Sequence, residues 1–386
     1  MGQIFSTREL IEKLISFDTT SRNSNLELIG FVESYLSGYG IASQRVANED
    51  NTKTNLFATI GPADKAGGIV LSGHTDVVPI DGQDWQSEPF SVVERDGCLF
   101  GRGTSDMKSF LACALAAVPR FVAAKPKVPV YLALSYDEEV GCLGVRPMID
   151  AIMRKLPRPQ VVIVGEPSGM KVVNTHKGIR SYVTKVTGLE FHSSQTQQGV
   201  SAIQYAMELI AELMRLAEEM RLREAPGCRF APPYTTINIG HIKGGTAVNI
   251  IPRSCVFGWE YRSLPDADQT EVLTRFNTFA ENVVLPKMRA VFSNAHIETT
   301  VRAESPGLAA RDGDAGETLV MRLAQCNETE AVSYNTEAGL FQLADIPTVI
   351  CGPGSIDQAH KPDEFIALSQ VAECDRFMAR LAEHVG

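Results

Sequence analysis

Apolar and polar residues follow two different patterns along this chain, and each pattern predicts a different kind of unit. In the first part, continuous apolar runs typical of buried strands alternate with stretches whose apolar residues recur at helical spacing. Strands of this kind, alternating with helices, indicate an α/β sheet covered by helices on both faces. The predicted strands are 55–60, 68–71, 128–135 and 161–164, and the predicted helices are 7–16, 26–39, 107–118 and 145–155.

The pattern changes near Lys177 and returns after Ser305. Between them, half-buried strands and amphipathic helices predict a smaller α+β module with its own sheet. Its predicted strands are 181–187, 235–242, 248–251, 255–261 and 297–302, and its helices are 200–222 and 267–284. The buried pattern then resumes with a helix at 319–326, a strand at 347–351 and a helix at 368–383. We therefore expect a larger domain formed by 1–177 and 305–386, with a smaller domain, 178–304, inserted into it.

Composition narrows the possible function classes. The 386 residues carry a net charge of −10, which argues against nucleic acid as the main partner. The eight cysteines include no C-x-x-C pair, so neither a thiolate zinc site nor a disulfide framework is expected. The N-terminal segment lacks the apolar core of a secretory signal, and no stretch reaches about 18 apolar residues. The expected location is therefore the cytoplasm, away from membranes.

Unusual polar residues occur where the predicted strands end or a buried helix begins. They lie in the stretches SGHTD, GRGTSD, SYDEE and GEP and in the late segment that begins at Cys351. Open α/β sheets bind ligands beyond the carboxyl ends of their strands. We therefore expect one rim to gather the side chains of His74, Asp106, Glu138, Glu139, Glu166 and His360.

Several carboxylates this close together would repel one another unless a multivalent cation lay between them. Imidazoles and carboxylates form a ligand set suited to zinc, cobalt or manganese, and a bridging Asp106 would allow two ions. Asp76, two residues after His74, has the position of a carboxylate that orients a ligand histidine. Each residue alone has a simpler interpretation: His74 and Asp76 as a polar turn, Asp106 as a helix cap, and the glutamates as solvated acids.

Taken in order, the motifs SGHTDVVP, GRGTSDMK, SYDEE and GEP and the late His360 resemble a known group of dinuclear metallohydrolases. This is the acetylornithine deacetylase and succinyl-diaminopimelate desuccinylase family, which also includes aminoacylases and glutamate carboxypeptidases. The resemblance covers the whole chain. It implies a catalytic domain like that of zinc exopeptidases, with a mixed sheet, and an inserted lid domain through which two copies form a homodimer.

The resemblance also implies a role for each residue at the rim. His74 and Glu166 would hold one zinc ion, Glu139 and His360 the other, and Asp106 would bridge them, with cobalt as a possible substitute. Asp76 would orient His74. Glu138, adjacent to a ligand, would act as general base and general acid in amide hydrolysis.

Four further residues match positions that contact the substrate in this family. His192, in GLEFHSS, would reach the active site of the partner subunit and stabilise an oxyanion; without the resemblance it reads as a surface residue. Asn249, in GGTAVNIIP, would lie near the substrate. Arg262 would pair with the substrate carboxylate, although a surface salt bridge is the simpler interpretation. The backbone N–H of Gly354 would meet the same carboxylate.

The stretches 135–142 and 334–342 resemble the acetylornithine deacetylase branch, which implies conversion of N2-acetyl-L-ornithine to L-ornithine and acetate in arginine biosynthesis. Glu337 would then meet the cationic side chain of the substrate or have a structural role. Another N-acyl amino acid or succinyl-diaminopimelate is the alternative substrate, and a catalytically silent binding protein is the alternative of another class. A dinucleotide-binding enzyme is disfavoured because no predicted strand is followed by G-x-G-x-x-G.

Overall fold

A computed structural model describes residues 3–224, 227–311 and 313–386. The chain forms two compact units. The larger unit comprises Met1–Thr175, Ala310–Ala331 and Thr336–Gly386, and the smaller comprises His176–Ala309 and Val332–Asn335. The boundaries predicted from the sequence differ from these by a few residues, and no pattern in the sequence indicated that 332–335 joins the smaller unit.

Eleven α-helices and fifteen strands lie in the described residues. The helices are α1 Thr7–Ile15, α2 Leu26–Gly38, α3 Lys108–Ala116, α4 Val118–Ala124, α5 Val145–Lys155, α6 Ala202–Arg221, α7 Glu271–Phe279, α8 Leu285–Arg289, α9 Ala315–Ala324, α10 Ala338–Leu343 and α11 Leu368–Val385. The strands are β1 Ser43–Ala47, β2 Thr54–Ile60, β3 Ile69–His74, β4 Val93–Arg95, β5 Cys98–Phe100, β6 Val130–Ser135, β7 Val161–Pro167, β8 Val173–His176, β9 Gly178–Thr187, β10 Thr236–Gly244, β11 Ser254–Ser263, β12 His296–Ser305, β13 Glu330–Val332, β14 Thr348–Gly352 and β15 Phe365–Ala367.

The larger unit is built on an eight-stranded sheet with the order β1-β2-β6-β3-β7-β14-β8-β13. Strand β3 pairs in parallel with β6 and β7, and β7 pairs in parallel with β14, whereas β2 is antiparallel to both of its neighbours. Every residue of β3, β6, β7 and β14 is buried, which requires cover on both faces. The mixed α/β sheet expected from the sequence is therefore confirmed.

Helix α3 packs closely on the central strands because two glycines leave room for it. A Cβ atom at Gly165 would lie 2.0 Å from the ring of Phe110, and one at Gly73 would lie 2.4 Å from the terminal methyl of Met107. These glycines are next to Glu166 and His74 in the sequence. The close approach of the helix therefore fixes the strand ends that carry these two side chains.

A three-stranded antiparallel sheet, β15-β5-β4, connects two distant parts of the larger unit. Strand β5 leads directly into the loop 101–106, and β15 begins just after Glu364. Phe365 pairs with Phe100 in the register of these strands. The pairing brings the segment after His360 next to the loop that ends at Asp106.

The smaller unit contains a four-stranded antiparallel sheet with the order β10-β11-β9-β12. The apolar stripe of α6 packs on the buried face of this sheet together with Phe257 and Trp259 of β11. The predicted strand at 248–251 is wrong. Val248 is fully exposed, and Ile250 forms only an isolated bridge with His192, so the apolar residues there belong to a loop.

The helix predicted at 107–118 corresponds to α3, and α4, which the sequence pattern did not predict, follows it. The stretch 107–118 contains α3, and α4 begins at Val118 with Pro119 in its first turn, a favourable position for proline. Among the described residues, no helix has the length and apolar character needed to cross a membrane.

Candidate metal centre

Six polar side chains of the larger unit come together at the carboxyl ends of its central strands. His74 is the last residue of β3, Glu166 lies near the end of β7, and Glu138 and Glu139 follow β6. Asp106 ends the loop before α3, and His360 precedes β15. Because β3 pairs in parallel with β6 and β7, their carboxyl ends share one edge of the sheet.

Asp106 lies at the middle of this group. One of its carboxylate oxygens is 3.0 Å from Nε2 of His74, and the other is 3.4 Å from Nε2 of His360. Asp106 is buried, and the peptide bond that follows it is cis. A carboxylate that faces two imidazoles with separate oxygens has the arrangement needed to bridge two cations.

Glu166 and Glu139 each lie next to one of the two histidines. Oε1 of Glu166 is 3.6 Å from Nε2 of His74, and Oε2 of Glu139 is 3.0 Å from Nε2 of His360. Within the described residues, two sets have ligand atoms that all lie within 4.8 Å of one another. One set is His74, Asp106 and Glu139, and the other is His74, Glu138 and Glu166.

The pKa values of these residues are shifted because several carboxyl groups are buried close together. Burial, together with the charges of Glu139 and Asp106, raises the pKa of Glu138 to about 8. Burial and the Asp106 charge likewise raise the pKa of Glu139 to about 7 and hold that of Glu166 well above its ordinary value. Hydrogen bonds to Asp106 and Glu139 raise the pKa of His360 to about 10.

A divalent cation fits this group better than protons do. It would offset the repulsion between buried carboxylates and satisfy oxygens that otherwise face one another. Imidazole nitrogens combined with carboxylate oxygens are the donor set that zinc, cobalt and manganese accept. The residues present thus fit a metal centre, as the sequence predicted.

Asp76 has a different geometry from the one expected. Nδ1 of His74 is 2.9 Å from the main-chain carbonyl oxygen of Asp76 and 3.7 Å from its nearer carboxylate oxygen. The main-chain carbonyl is therefore the hydrogen-bond acceptor that orients this imidazole. The carboxylate instead accepts hydrogen bonds from the hydroxyl of Ser21 and from the backbone N–H groups of Glu138 and Glu139. It fixes the two glutamates, a role that spacing alone does not reveal.

The raised pKa values predict how stability depends on pH in chain freed of metal by a chelator. Glu138 and Glu139 bind protons more tightly in the folded chain than in the unfolded chain, where glutamate titrates near 4.5. From there to about pH 8 the folded state holds more protons, so the free energy of unfolding falls as pH rises. His360 acts in the same direction because its pKa is also raised.

The stabilisation that added zinc or cobalt provides should instead increase as pH rises, because cations bind the deprotonated ligands. We expect the increase in melting temperature on metal addition to grow between about pH 5 and about pH 8. Thermal melts with chelator and with metal across this range would measure it. The difference in melting temperature between the two curves reports on the metal-binding residues, because other buried acids affect both curves alike. A difference that becomes smaller as pH rises would contradict the assignment of these residues as metal ligands.

Two further residues of the larger unit have contacts that bear on their expected roles. The backbone N–H of Gly354 donates to the side chain of Gln370 at 3.3 Å. Glu337 is fully buried, and its carboxylate accepts hydrogen bonds from the hydroxyls of Ser72 and Ser135. It joins the ends of β3 and β6, which favours the structural alternative over contact with a substrate cation.

The remaining candidate residues belong to the smaller unit. His192 is exposed, with Nδ1 2.8 Å from the hydroxyl of Ser194. Asn249 is also exposed, and its carbonyl oxygen accepts a hydrogen bond from the backbone N–H of Ser193, so His192 and Asn249 are close neighbours. Nε of Arg262 is 3.1 Å from a carboxylate oxygen of Glu260.

Sequence reasoning missed Glu364, a buried acid that contacts the main chain of Asp106. Its carboxylate is 1% exposed and accepts hydrogen bonds from the backbone N–H groups of Ser105 and Asp106. The predicted acids follow a strand or precede a helix, whereas Glu364 precedes a strand. The available signal was an acid directly before the short apolar run that forms β15.

Comparison with known proteins agrees with this geometry. The sequence model of peptidase family M20/M25/M40 matches residues 70–384. The chain belongs to this family. The predicted resemblance is therefore confirmed, and membership of this metallopeptidase family makes the chain a hydrolase.

Individual relatives extend the match over nearly the whole chain. The acetylornithine deacetylase of Pasteurella multocida (strain Pm70) is 33% identical over 382 residues, which are 98% of this chain and 96% of the relative. The M20 family metallo-carboxypeptidase Sso-CP2 from Sulfolobus solfataricus has the same fold, with a TM-score of 0.78 at 17% identity, covering 98% of this chain and 99% of that one. The Bacillus subtilis YXEP protein, described as a dinuclear metal binding peptidase from the M20 family, has a TM-score of 0.68 at 15% identity, covering 98% and 97%.

Proposed function

We propose that this M20/M25/M40 hydrolase removes the acetyl group from N2-acetyl-L-ornithine, releasing L-ornithine and acetate in arginine biosynthesis. The observation that carries the proposed chemistry is Asp106, which faces a different histidine with each carboxylate oxygen. The substrate is supported by the Pasteurella multocida relative, an acetylornithine deacetylase over almost its whole length. The expected location is the cytoplasm.

In the proposed mechanism, His74 and Glu166 would hold one zinc ion, Glu139 and His360 would hold a second, and Asp106 would contribute a carboxylate oxygen to each. When bound, the ions supply polarisation of the scissile carbonyl and lower the pKa of water. Cobalt is an acceptable substitute because it takes the same donor set. The short distances within the pairs His74–Glu166 and Glu139–His360 support this division of the ligands.

Glu138 is the proposed general base and general acid. Its carboxylate lies among the ligand atoms, and the thiol of Cys142 donates to it at 3.2 Å. It would take a proton from water as the water oxygen attacks the acetyl carbonyl carbon. As the C–N bond breaks, Glu138 would deliver that proton to the leaving amine, so the products are acetate and ornithine.

The smaller unit is proposed to supply residues that contact the substrate and to form a homodimer. Arg262 would pair with the substrate carboxylate, as guanidinium groups do bidentately, and Asn249 would lie nearby. The exposure of His192 is compatible with reaching the active site of a partner subunit, where it would stabilise the oxyanion. Gly354 could contribute its backbone N–H only by releasing Gln370.

A release assay tests the proposed substrate directly. Chelated enzyme reloaded with zinc or cobalt would be supplied with acetyl-ornithine, acetyl-methionine and succinyl-diaminopimelate, and amine release would be followed for each. We expect acetyl-ornithine to have the highest kcat/KM by at least about tenfold, corresponding to about 1.4 kcal/mol of transition-state discrimination.

The same panel identifies the alternatives. Preference for succinyl-diaminopimelate would reassign the acyl group, and preference for acetyl-methionine would indicate a broader aminoacylase activity. Metal-loaded enzyme that releases no amine from any of the three would overturn the proposal. Enzyme kept in chelator serves as the control for turnover that does not depend on metal.

A further inference from the structure

Glu364 forms an unusually complete set of hydrogen bonds deep in the larger unit. One carboxylate oxygen accepts from the backbone N–H groups of Ser105 at 2.8 Å and Asp106 at 3.0 Å. The other accepts from the backbone N–H of Gly103 at 3.0 Å and from Nη1 of Arg102 at 2.7 Å. Both partners of this ion pair have side chains only 1% exposed. One buried side chain thus holds most of the loop that ends at Asp106.

The same ion pair also reaches the segment that carries His360. Nη2 of Arg102 donates to the side-chain oxygen of Gln83 at 2.5 Å, and the amide of Gln83 donates to the carbonyl oxygen of His360 at 2.9 Å. Nη1 of Arg102 is 3.3 Å from the carbonyl oxygen of Lys361. Arg102 therefore connects Glu364 to two main-chain carbonyl groups, that of Lys361 directly and that of His360 through Gln83.

A buried carboxylate is costly unless hydrogen bonds satisfy it, and removing it would leave the four donors without their acceptor. A carboxylate on the surface near the same loop would be hydrated, and water could replace it as the acceptor for the loop donors. The number of donors from consecutive loop residues indicates that Glu364 determines the shape of the loop, beyond balancing the charge of Arg102.

We propose that Glu364 is a positioning residue that fixes Asp106 relative to His360 and thereby sets the affinity of the centre for its second cation. This inference rests on the proposed metal-dependent function. It does not depend on which acylated amino acid is the substrate. Glu364 touches no reacting atom, and its effect passes through the main chain of residues 103–106.

Metal affinity is the measurement that separates positioning from general stability. Zinc and cobalt affinities would be measured by competition with a chromophoric chelator, and the cobalt absorption spectrum would report ligand geometry. The variants are Glu364→Gln, Glu364→Asp and the double variant Arg102→Met/Glu364→Gln. Glu337→Gln is the matched control, because Glu337 is equally buried but its two partners are hydroxyls, which can reorient to accept from an amide.

We expect Glu364→Gln to weaken the binding of the second cation by about 10- to 100-fold, the range typical of losing a group that supports a metal ligand. Its amide offers one acceptor oxygen where the carboxylate offers two. Glu364→Asp keeps the charge but is one methylene shorter and cannot reach all four donors, so a smaller loss and an altered cobalt spectrum are expected. Glu337→Gln should stay within about threefold of wild type, since its hydrogen bonds can be rebuilt.

The double variant decides between positioning and charge balance. If Glu364 only neutralises Arg102, removing both charges restores wild-type metal affinity, and the inference fails. Wild-type affinity in folded Glu364→Gln or Glu364→Asp would overturn it equally. Wild-type enzyme that binds two cations but releases no amine from acylated amino acids would remove the proposed substrate and leave this comparison valid.

Discussion

Glu138→Ala is expected to lower kcat by about 10²- to 10⁴-fold while the enzyme still binds its cations, since this is the range attributed to general acid–base groups. Glu138 lies within the ligand group, but the division of ligands proposed above assigns both cations to other residues. Its carboxylate is therefore free to move a proton between water and the leaving amine.

The comparison needs kcat together with metal content, measured on the same preparation. Asp137→Asn is a matched control: Asp137 is the neighbouring acid, but its carboxylate pairs with Lys53 at 2.5 Å. Asparagine also tolerates the positive φ of 55° at this position. We expect the control to retain activity within about tenfold, well short of the loss of a proton-transfer group. Normal turnover by metal-loaded Glu138→Ala would remove Glu138 from the mechanism.

Asp106→Asn is expected to bind one cation fewer and to lose nearly all activity. An amide has a single oxygen, so it cannot present an oxygen to both His74 and His360 as the carboxylate does. Its NH2 group would instead face one of the imidazoles. We expect one cation to bind more than about 100-fold more weakly, beyond the effect of losing a group that merely supports a ligand.

Metal analysis after dialysis and chelator competition would measure this change. Asp96→Asn provides the control, because Asp96 is an exposed residue with positive φ in the turn between β4 and β5, where asparagine is tolerated. It should keep both affinities. Two cations bound tightly by Asp106→Asn would refute the bridging role.

Much of the larger unit was predictable because its central strands are buried on both faces. Such strands read as uninterrupted apolar runs, so the polar residues at their ends stand out in the sequence. The sequence predicted that β3 ends at Leu71 and β7 at Val164, whereas the structure extends both strands through His74 and Pro167. The polar residues at the ends of these two strands pair with neighbouring strands and also face the edge of the sheet where the metal centre lies. The apolar pattern alone cannot show this.

Long-range hydrogen bonds were not predictable in the same way. Glu364 contacts the backbone of Asp106 across 258 positions, and Glu337 contacts Ser72 across 265. No periodicity connects such residues, because their partners are set by the folded sheet. The erroneous strand at 248–251 has a different cause: Val248 and Ile250 are apolar but exposed, and they lie in a loop instead of pairing in a sheet.

The chain order of the two units has a consequence for biosynthesis. The smaller unit is almost entirely contiguous, whereas the larger is assembled from segments on either side of it. On the ribosome, a nascent chain would therefore complete nearly all of the smaller unit before His360 and Glu364 had been translated. Cation uptake at the full centre would then be among the last events of maturation, and a polypeptide terminated before His360 would lack a complete centre.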